Sequence, residues 1–211
     1  VRPTTEHQAG RCNRILKSIA VSASQRQDGF AYNTWPLGTL ICPVINPMKS
    51  LFDTTGISAC ADDLSRRVYT SRLLGRDKSL VLHGGGNTSV KADGKNAFGE
   101  DEQILYVKGS GWDLEKIEEA GFSPVRLEHL KRLAQLPALS DPAMVNELVT
   151  NMTRASAPVP SVEAILHAIL PYKYVDHTHA DAVVTVTNSV GGEARIREIY
   201  GDSVVVIPYV M

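Results

Sequence analysis

Apolar positions along the chain recur with clear periods only after residue 47. Asp62, Asp63, Leu64, Val68, Tyr69, Leu73 and Leu74 fall at helical spacing and predict a helix that Gly75 ends. Ser79 to His83 then predicts a strand, Gly84-Gly85-Gly86-Asn87 a turn, and Thr88 to Lys91 a second strand. Asp93-Gly94 is a hairpin signal, and Gln103 to Lys108 reads as the returning strand, with Ile104, Tyr106 and Lys108 on one face and Leu105 and Val107 on the other. Helices are predicted over 113–120 and 124–136. A third starts near Asp141, which can cap, with Pro142 suited to the first helical position. Residues 162–170 form an apolar helix that Ser161 caps and Pro171 closes. A long Val- and Thr-rich strand follows from Tyr174 to Thr187, then a helix from Glu193 to Tyr200 and a strand from Ser203 to Tyr209.

The first 47 residues hold no period and are punctuated by Gly29, Pro36, Gly38, Pro43 and Pro47. The chain therefore divides into an extension over 1–47, either foreign to the domain or an arm that packs on a partner subunit, and a domain over 48–211. Composition narrows the function class. With 22 basic and 23 acidic residues the net charge is -1, so no overall field draws the protein to nucleic acid or an anionic membrane, and a small ligand is expected. Three dispersed cysteines, no long apolar run and no secretory leader pattern predict a cytoplasmic protein.

His177 and His179 stand two apart in the predicted long strand, so both imidazoles project from one face. Alone, that pair fits a metal half-site and two hydrogen-bonded sheet histidines equally well. Glu163 lies 14 residues upstream of His177 in the first turn of the preceding helix, where the dipole favours a carboxylate, either beside the same ion or paired with His167. Two histidines and a carboxylate leave a catalytic zinc open to substrate. Gly84-Gly85-Gly86-Asn87-Thr88-Ser89 offers approachable backbone N–H groups, an amide and two hydroxyls, which suit a phosphate. It matches neither a Walker A loop nor a dinucleotide fingerprint. Lys108-Gly109-Ser110-Gly111 repeats the theme with a positive charge, and Ser161 adds a donor at a helix start.

In order, Gly86-Asn87-Thr88-Ser89, Lys108-Gly109-Ser110-Gly111, Pro160-Ser161-Val162-Glu163 and His177-Thr178-His179 resemble the signature segments of the class II aldolase/adducin family. The stretches 161–182 and 192–211 are most similar to the aldolase half of bifunctional proteins that join a rhamnulose-phosphate aldolase to a short-chain dehydrogenase. The resemblance implies a three-layer α/β/α fold around a mostly antiparallel sheet, truncated at its C-terminal end, and a homotetramer. It implies that Gly86, Asn87, Ser89, Lys108, Gly109, Ser110 and Ser161 hold the substrate phosphate, that His177 and His179 bind one zinc ion per subunit, and that Glu163 is the acid/base. The family's third zinc histidine is expected beyond residue 211, and Val162 stands where the family often has a serine.

The expected reaction is zinc-dependent retro-aldol cleavage of a ketose 1-phosphate, rhamnulose 1-phosphate first, to dihydroxyacetone phosphate and lactaldehyde. A pentulose-phosphate 4-epimerase and a non-catalytic adducin-like module are the alternatives. The 211-residue chain by itself is expected to be inactive.

Overall fold

The computed structural model describes residues 49–207, so the 1–47 extension and the end of the predicted 203–209 strand lie outside the described residues. A short helix, α1 (Thr54–Ser58), precedes α2 (Asp63–Arg76). A capping box starts α2: Ser65 N–H donates to Asp62 Oδ1 at 2.8 Å, and Asp62 N–H donates to Ser65 Oγ at 3.0 Å. Gly75 does not end this helix. A Cβ there would stand 2.1 Å from the Glu115 backbone nitrogen, so the glycine lets α2 pack directly on the segment after the second strand.

Four strands form one antiparallel sheet: β1 (Asn87–Lys95), β2 (Asp101–Lys108), β3 (Phe122–Arg126) and β4 (Tyr174–His177), in the order β3-β2-β1-β4. On one face Leu105, Val107 and Val125 pack against α3 (Leu127–Leu133), α4 (Asp141–Thr150) and α5 (Ala164–Ile169). On the other, Phe122 and Tyr106 join Val68 of α2 with Leu114 and Ile117. Helical layers on both faces make the expected α/β/α sandwich, with the alternation of Ile104 to Lys108 as the sequence predicts. Among the described residues no helix is long and apolar enough to cross a membrane.

Several elements differ from the sequence prediction. Residues 79–83 are turn and irregular chain with no strand pairing, because Leu80 and Val81 N–H both return to the Asp77 carbonyl. Asp93 and Gly94 lie within β1, paired with Gln103 and Glu102, and the hairpin turns at 96–100 instead. The predicted 113–120 helix is two single 3₁₀ turns, Leu114–Lys116 and Glu119–Gly121. The start of the predicted 124–136 helix is β3, whose Pro124 is tolerated on an edge strand. The long strand stops at His177, where His179 and Asp181 N–H turn aside to the Leu80 and Ser79 carbonyls, and α6 (Asp181–Thr187) follows. Tertiary bonds override the β-propensity of that Val/Thr run. Helix α7 (Gly192–Tyr200) agrees with prediction, whereas a 3₁₀ turn at Gly201–Ser203 replaces the start of the last strand.

Polar bonds fasten β1 from both sides. Thr88 Oγ1 lies 2.7 Å from Ser71 Oγ of α2, and Ser89 Oγ lies 2.8 Å from His167 Nδ1 of α5. All four side chains are buried. Burial, with the charge of His177 adding to it, pushes the His167 imidazole down to about 4, so it is neutral in the folded protein at pH 7. The unfolded chain takes up a proton near pH 6.5, so the stability linked to His167 is full above that value and is lost as the pH falls through the folded pKa. Between pH 7 and 4 the loss is on the order of 3 kcal/mol. Denaturant titrations of wild type and His167→Gln should show a smaller acid-side loss in the variant; parallel curves would remove His167 as the cause.

Candidate functional site

Strand pairing brings the first site residues together. Asn87 opens β1 directly opposite His177 at the end of β4. Gly86, with φ 67°, must be a glycine for two reasons: the left-handed backbone, and a Cβ that would lie 2.6 Å from the His177 carbonyl oxygen. The chain then leaves β4, and the bond from His179 N–H to the Leu80 carbonyl, 3.0 Å, places the second imidazole. The ring centroids of His177 and His179 are 4.8 Å apart at 64°. The two rings therefore converge, although His179 lies outside the strand and strand alternation is not the cause. Gly85 makes room for them, since a Cβ there would stand 3.2 Å from His179 Nδ1.

Glu163 occupies the cap position of α5, where Ser161 Oγ accepts its N–H at 3.3 Å. Its Oε2 accepts from Asn87 Nδ2, lies 3.2 Å from Ser161 Oγ, and lies 3.3 Å from His177 Nδ1. Burial pushes the Glu163 carboxyl up, but the His177 ring together with the Asn87 and Ser161 donors outweighs this and holds it at about 2. Glu163 is thus a desolvated carboxylate that stays ionised. The pairing with His167 considered from sequence does not form, because His167 points to Ser89.

Strand β2 delivers the other wall. Ser161 N–H donates to the Lys108 carbonyl at 3.2 Å and Ser110 N–H to Val159 O at 2.8 Å, which clamps the 108–111 segment to 159–161. Gly109 sits where a Cβ would meet Pro158 Cγ at 2.3 Å. The Lys108 ammonium reaches the Gly84 carbonyl at 3.0 Å. Residues 84–87, 108–111 and 161–163 with His177 and His179 line one cavity of about 350 Å³. Of the expected phosphate-binding residues, Gly86, Asn87, Lys108, Gly109, Ser110 and Ser161 are on its wall. Ser89 is not: its hydroxyl is fully buried and bonded to His167 on the helix side of the sheet.

The donor set suits a divalent cation in part. With Nδ1 of His177 against the Glu163 carboxylate, its Nε2 is the lone pair to offer, an orientation common behind metal-bound histidines. Among the described residues no three His, Cys, Asp or Glu side chains form a complete metal cluster, so His177 and His179 stand as a pair. Asn87 Oδ1 and His167 Nε2 are buried without a hydrogen-bond partner among the described residues.

The sequence reading missed the supports behind this wall. Arg67, 1% exposed, donates to Ser71 Oγ at 3.1 Å and to the Ser89 carbonyl at 3.4 Å, and pairs with Asp176 at 2.6 Å. Its signal was a charged residue one helical turn before Ser71 on the apolar stripe of α2. His167 between Ala164 and Ala168 carried the same signal on α5.

Residues 65–211 match the family described as Class II Aldolase and Adducin N-terminal domain. An uncharacterized oxidoreductase of Bacillus subtilis (strain 168), YuxG, is 36% identical over 163 residues, 77% of this chain; the chain spans 24% of that relative's length. The structure of the N-terminal class II aldolase domain of a conserved protein from Thermoplasma acidophilum superposes with a TM-score of 0.69 at 40% identity, over 78% of this chain and 76% of that one.

Two glycines separate backbone strain from crowding at this site. Gly99 has φ 82° with nothing within 4 Å of a Cβ, whereas Gly86 combines φ 67° with close contacts to the His177 carbonyl and to Val81. Gly99→Ala should cost about 1 kcal/mol and Gly86→Ala about 1–3 kcal/mol more in denaturant unfolding. Equal losses would show that Gly86 is required for its torsion alone.

Proposed function

The chain belongs to the class II aldolase and adducin family, and from this we propose that it carries the substrate pocket for retro-aldol cleavage of a ketose 1-phosphate, rhamnulose 1-phosphate first, to dihydroxyacetone phosphate and lactaldehyde. The observation that carries the reading is the Asn87–Glu163–His177 contact set beside His179, facing three donor-bearing loops across one cavity.

In this reading His177 and His179 supply two ligands to zinc, which when bound stabilises negative charge developing on the substrate ketone oxygen. Glu163 moves the proton. Held ionised by His177, Asn87 and Ser161, it rests as a base, takes up the hydroxyl proton as the carbon–carbon bond opens and returns a proton to the carbon next to the carbonyl, which converts the enediolate to dihydroxyacetone phosphate. Asn87 keeps the carboxylate turned toward His177. The Gly85, Gly109 and Ser110 N–H groups are bonded to the Leu82, Gly121 and Val159 carbonyls, so the phosphate is left to the Ser110 hydroxyl and to the Gly84 and Gly86 backbone at the open side of the cavity. The presence of Glu163, His177 and His179 together on one cavity wall argues against a non-catalytic adducin-like role.

The oxidoreductase designation of the Bacillus relative supports a wider proposal, that this domain works beside a dehydrogenase in one longer protein. A homotetramer and a cytoplasmic location complete the reading.

Full-length protein incubated with rhamnulose 1-phosphate should release dihydroxyacetone phosphate, detected by a coupled glycerophosphate dehydrogenase. A 4-epimerized pentulose phosphate without triose release would assign the epimerase chemistry instead. Glu163→Gln should lower kcat by roughly 10²- to 10⁴-fold while retaining bound zinc; an unchanged kcat would remove Glu163 from the proton transfer. Chelation should abolish turnover and added zinc should restore it, and His179→Ala should reduce zinc content measured by atomic absorption.

A further inference from the structure

We propose that Lys108 is a positioning residue whose ammonium, held on the Gly84 carbonyl, fixes the 84–86 loop at a set distance from the 109–111 loop and Ser161. The proposal rests on the reading of this cavity as a phosphate pocket and assigns Lys108 the role of ordering the pocket's donors in place of direct contact with the anion.

The main chain around Lys108 is locked. Its carbonyl accepts Ser161 N–H at 3.2 Å, Gly109 N–H donates to the Gly121 carbonyl at 2.8 Å, and Ser110 N–H donates to Val159 at 2.8 Å. From that base the side chain, 6% exposed, crosses to Gly84. Lys108 thus ties its own segment to the two others, to Ser161 through its carbonyl and to Gly84 through its ammonium.

The loop it reaches needs such a hold. His83, Gly84 and Gly86 have φ of 48°, 76° and 67°, so three of four consecutive residues are left-handed. His83 is the one non-glycine residue with positive φ among the described residues. A β-carbon-bearing residue stays in that region only where its surroundings determine it. Within the loop itself, Gly85 N–H closes a turn on the Leu82 carbonyl at 2.8 Å, and the Gly84 carbonyl is turned toward Lys108. Burial lowers the pKa of the Lys108 ammonium, and the Asp113 and Glu163 carboxylates offset this only in part, so the gain lies in the loop geometry its bond to Gly84 enforces. With the Gly84 carbonyl held by lysine and the Gly85 N–H by Leu82, the loop is fixed on both sides of its left-handed residues.

The test is amide hydrogen exchange of the full-length protein, followed by mass spectrometry over 80–88. In Lys108→Met without ligand, exchange there should speed up by at least about tenfold while 101–107 and 122–133 stay unchanged. Lys108→Arg, which keeps a donor of similar reach, should stay within about twofold of wild type. Unchanged exchange in Lys108→Met overturns the proposal. Should that variant fail to fold, Lys108→Gln, whose shorter amide cannot span to Gly84, is read by the same criterion. Inorganic phosphate is added in a second arm. If Lys108→Met loosens the loop but phosphate protects nothing in wild type, the pocket reading fails and the positioning role stands. If phosphate protects 80–88 in wild type and Lys108→Met leaves the free loop unchanged, the positioning role fails and the pocket reading stands.

Discussion

A guanidinium can be buried between a helix and a sheet only if its donors find acceptors, since an unsatisfied charged group costs several kcal/mol. Arg67 meets that requirement by binding three things at once: Ser71 within its own helix, the Ser89 carbonyl of β1, and Asp176 of β4. The Tyr174 ring lies 5.7 Å from its Cζ and shields the group further. A single charge thus links α2 to two adjacent strands, beside the Ser71–Thr88 bond. Sliding β4 by one residue along β1 would strand that charge and carry Asp176 to the other face, along with His177.

Everything in the cavity inherits this register. Asn87 faces His177 because Thr88 faces Asp176, and Asp176 is where Arg67 requires it. On the opposite side of the sheet, Ser89 and His167 set how far α5 stands along β1, and so where Glu163 at the head of that helix meets Asn87. The visible chemistry of the site thus depends on a second, hidden tier of polar residues, each one or two positions along a strand or one helical turn away. Such a tier rigidifies a site only when nearly every member is satisfied.

The contrast between what could be read from the sequence and what could not follows from the range of the forces involved. Helices α2, α4 and α7 were legible because apolar spacing and an early proline act locally, although Asp141 does not cap α4, whose N-cap is Ser140 with no side-chain bond; the faces of β2 were legible from the alternation of Ile104 to Val107. The glycine loops and the His-x-His gave the list of cavity residues, since chemistry of that kind is carried by residue type. What escaped was set by distant partners. No local pattern says that Leu80 and Ser79 will capture the N–H groups of His179 and Asp181 and end a strand in a run of valine and threonine. A fully buried Phe122-Ser123-Pro124-Val125 cannot be told from a helix by period. Ser89 illustrates the same limit in the site: its motif places it in a phosphate loop, but two residues along β1 from Asn87 it lies under α5 and is bonded to His167.

The pairing of Asn87 with His177 spans 90 positions of chain, and Asn87 with Glu163 spans 76. During synthesis, the β1–β2 hairpin and its packing on α2 can form long before these residues have emerged, because their contacts are nearly local. The cavity cannot. Loop-closure entropy must be overcome before Asn87 meets either partner, which puts assembly of the site among the last events of folding. Until then the glycine loop, Arg67 and the free edge of β1 are all exposed in an otherwise ordered intermediate. A newly made chain therefore passes through a window in which its most polar interior is open to solvent and to other chains, and the docking of one four-residue strand closes it.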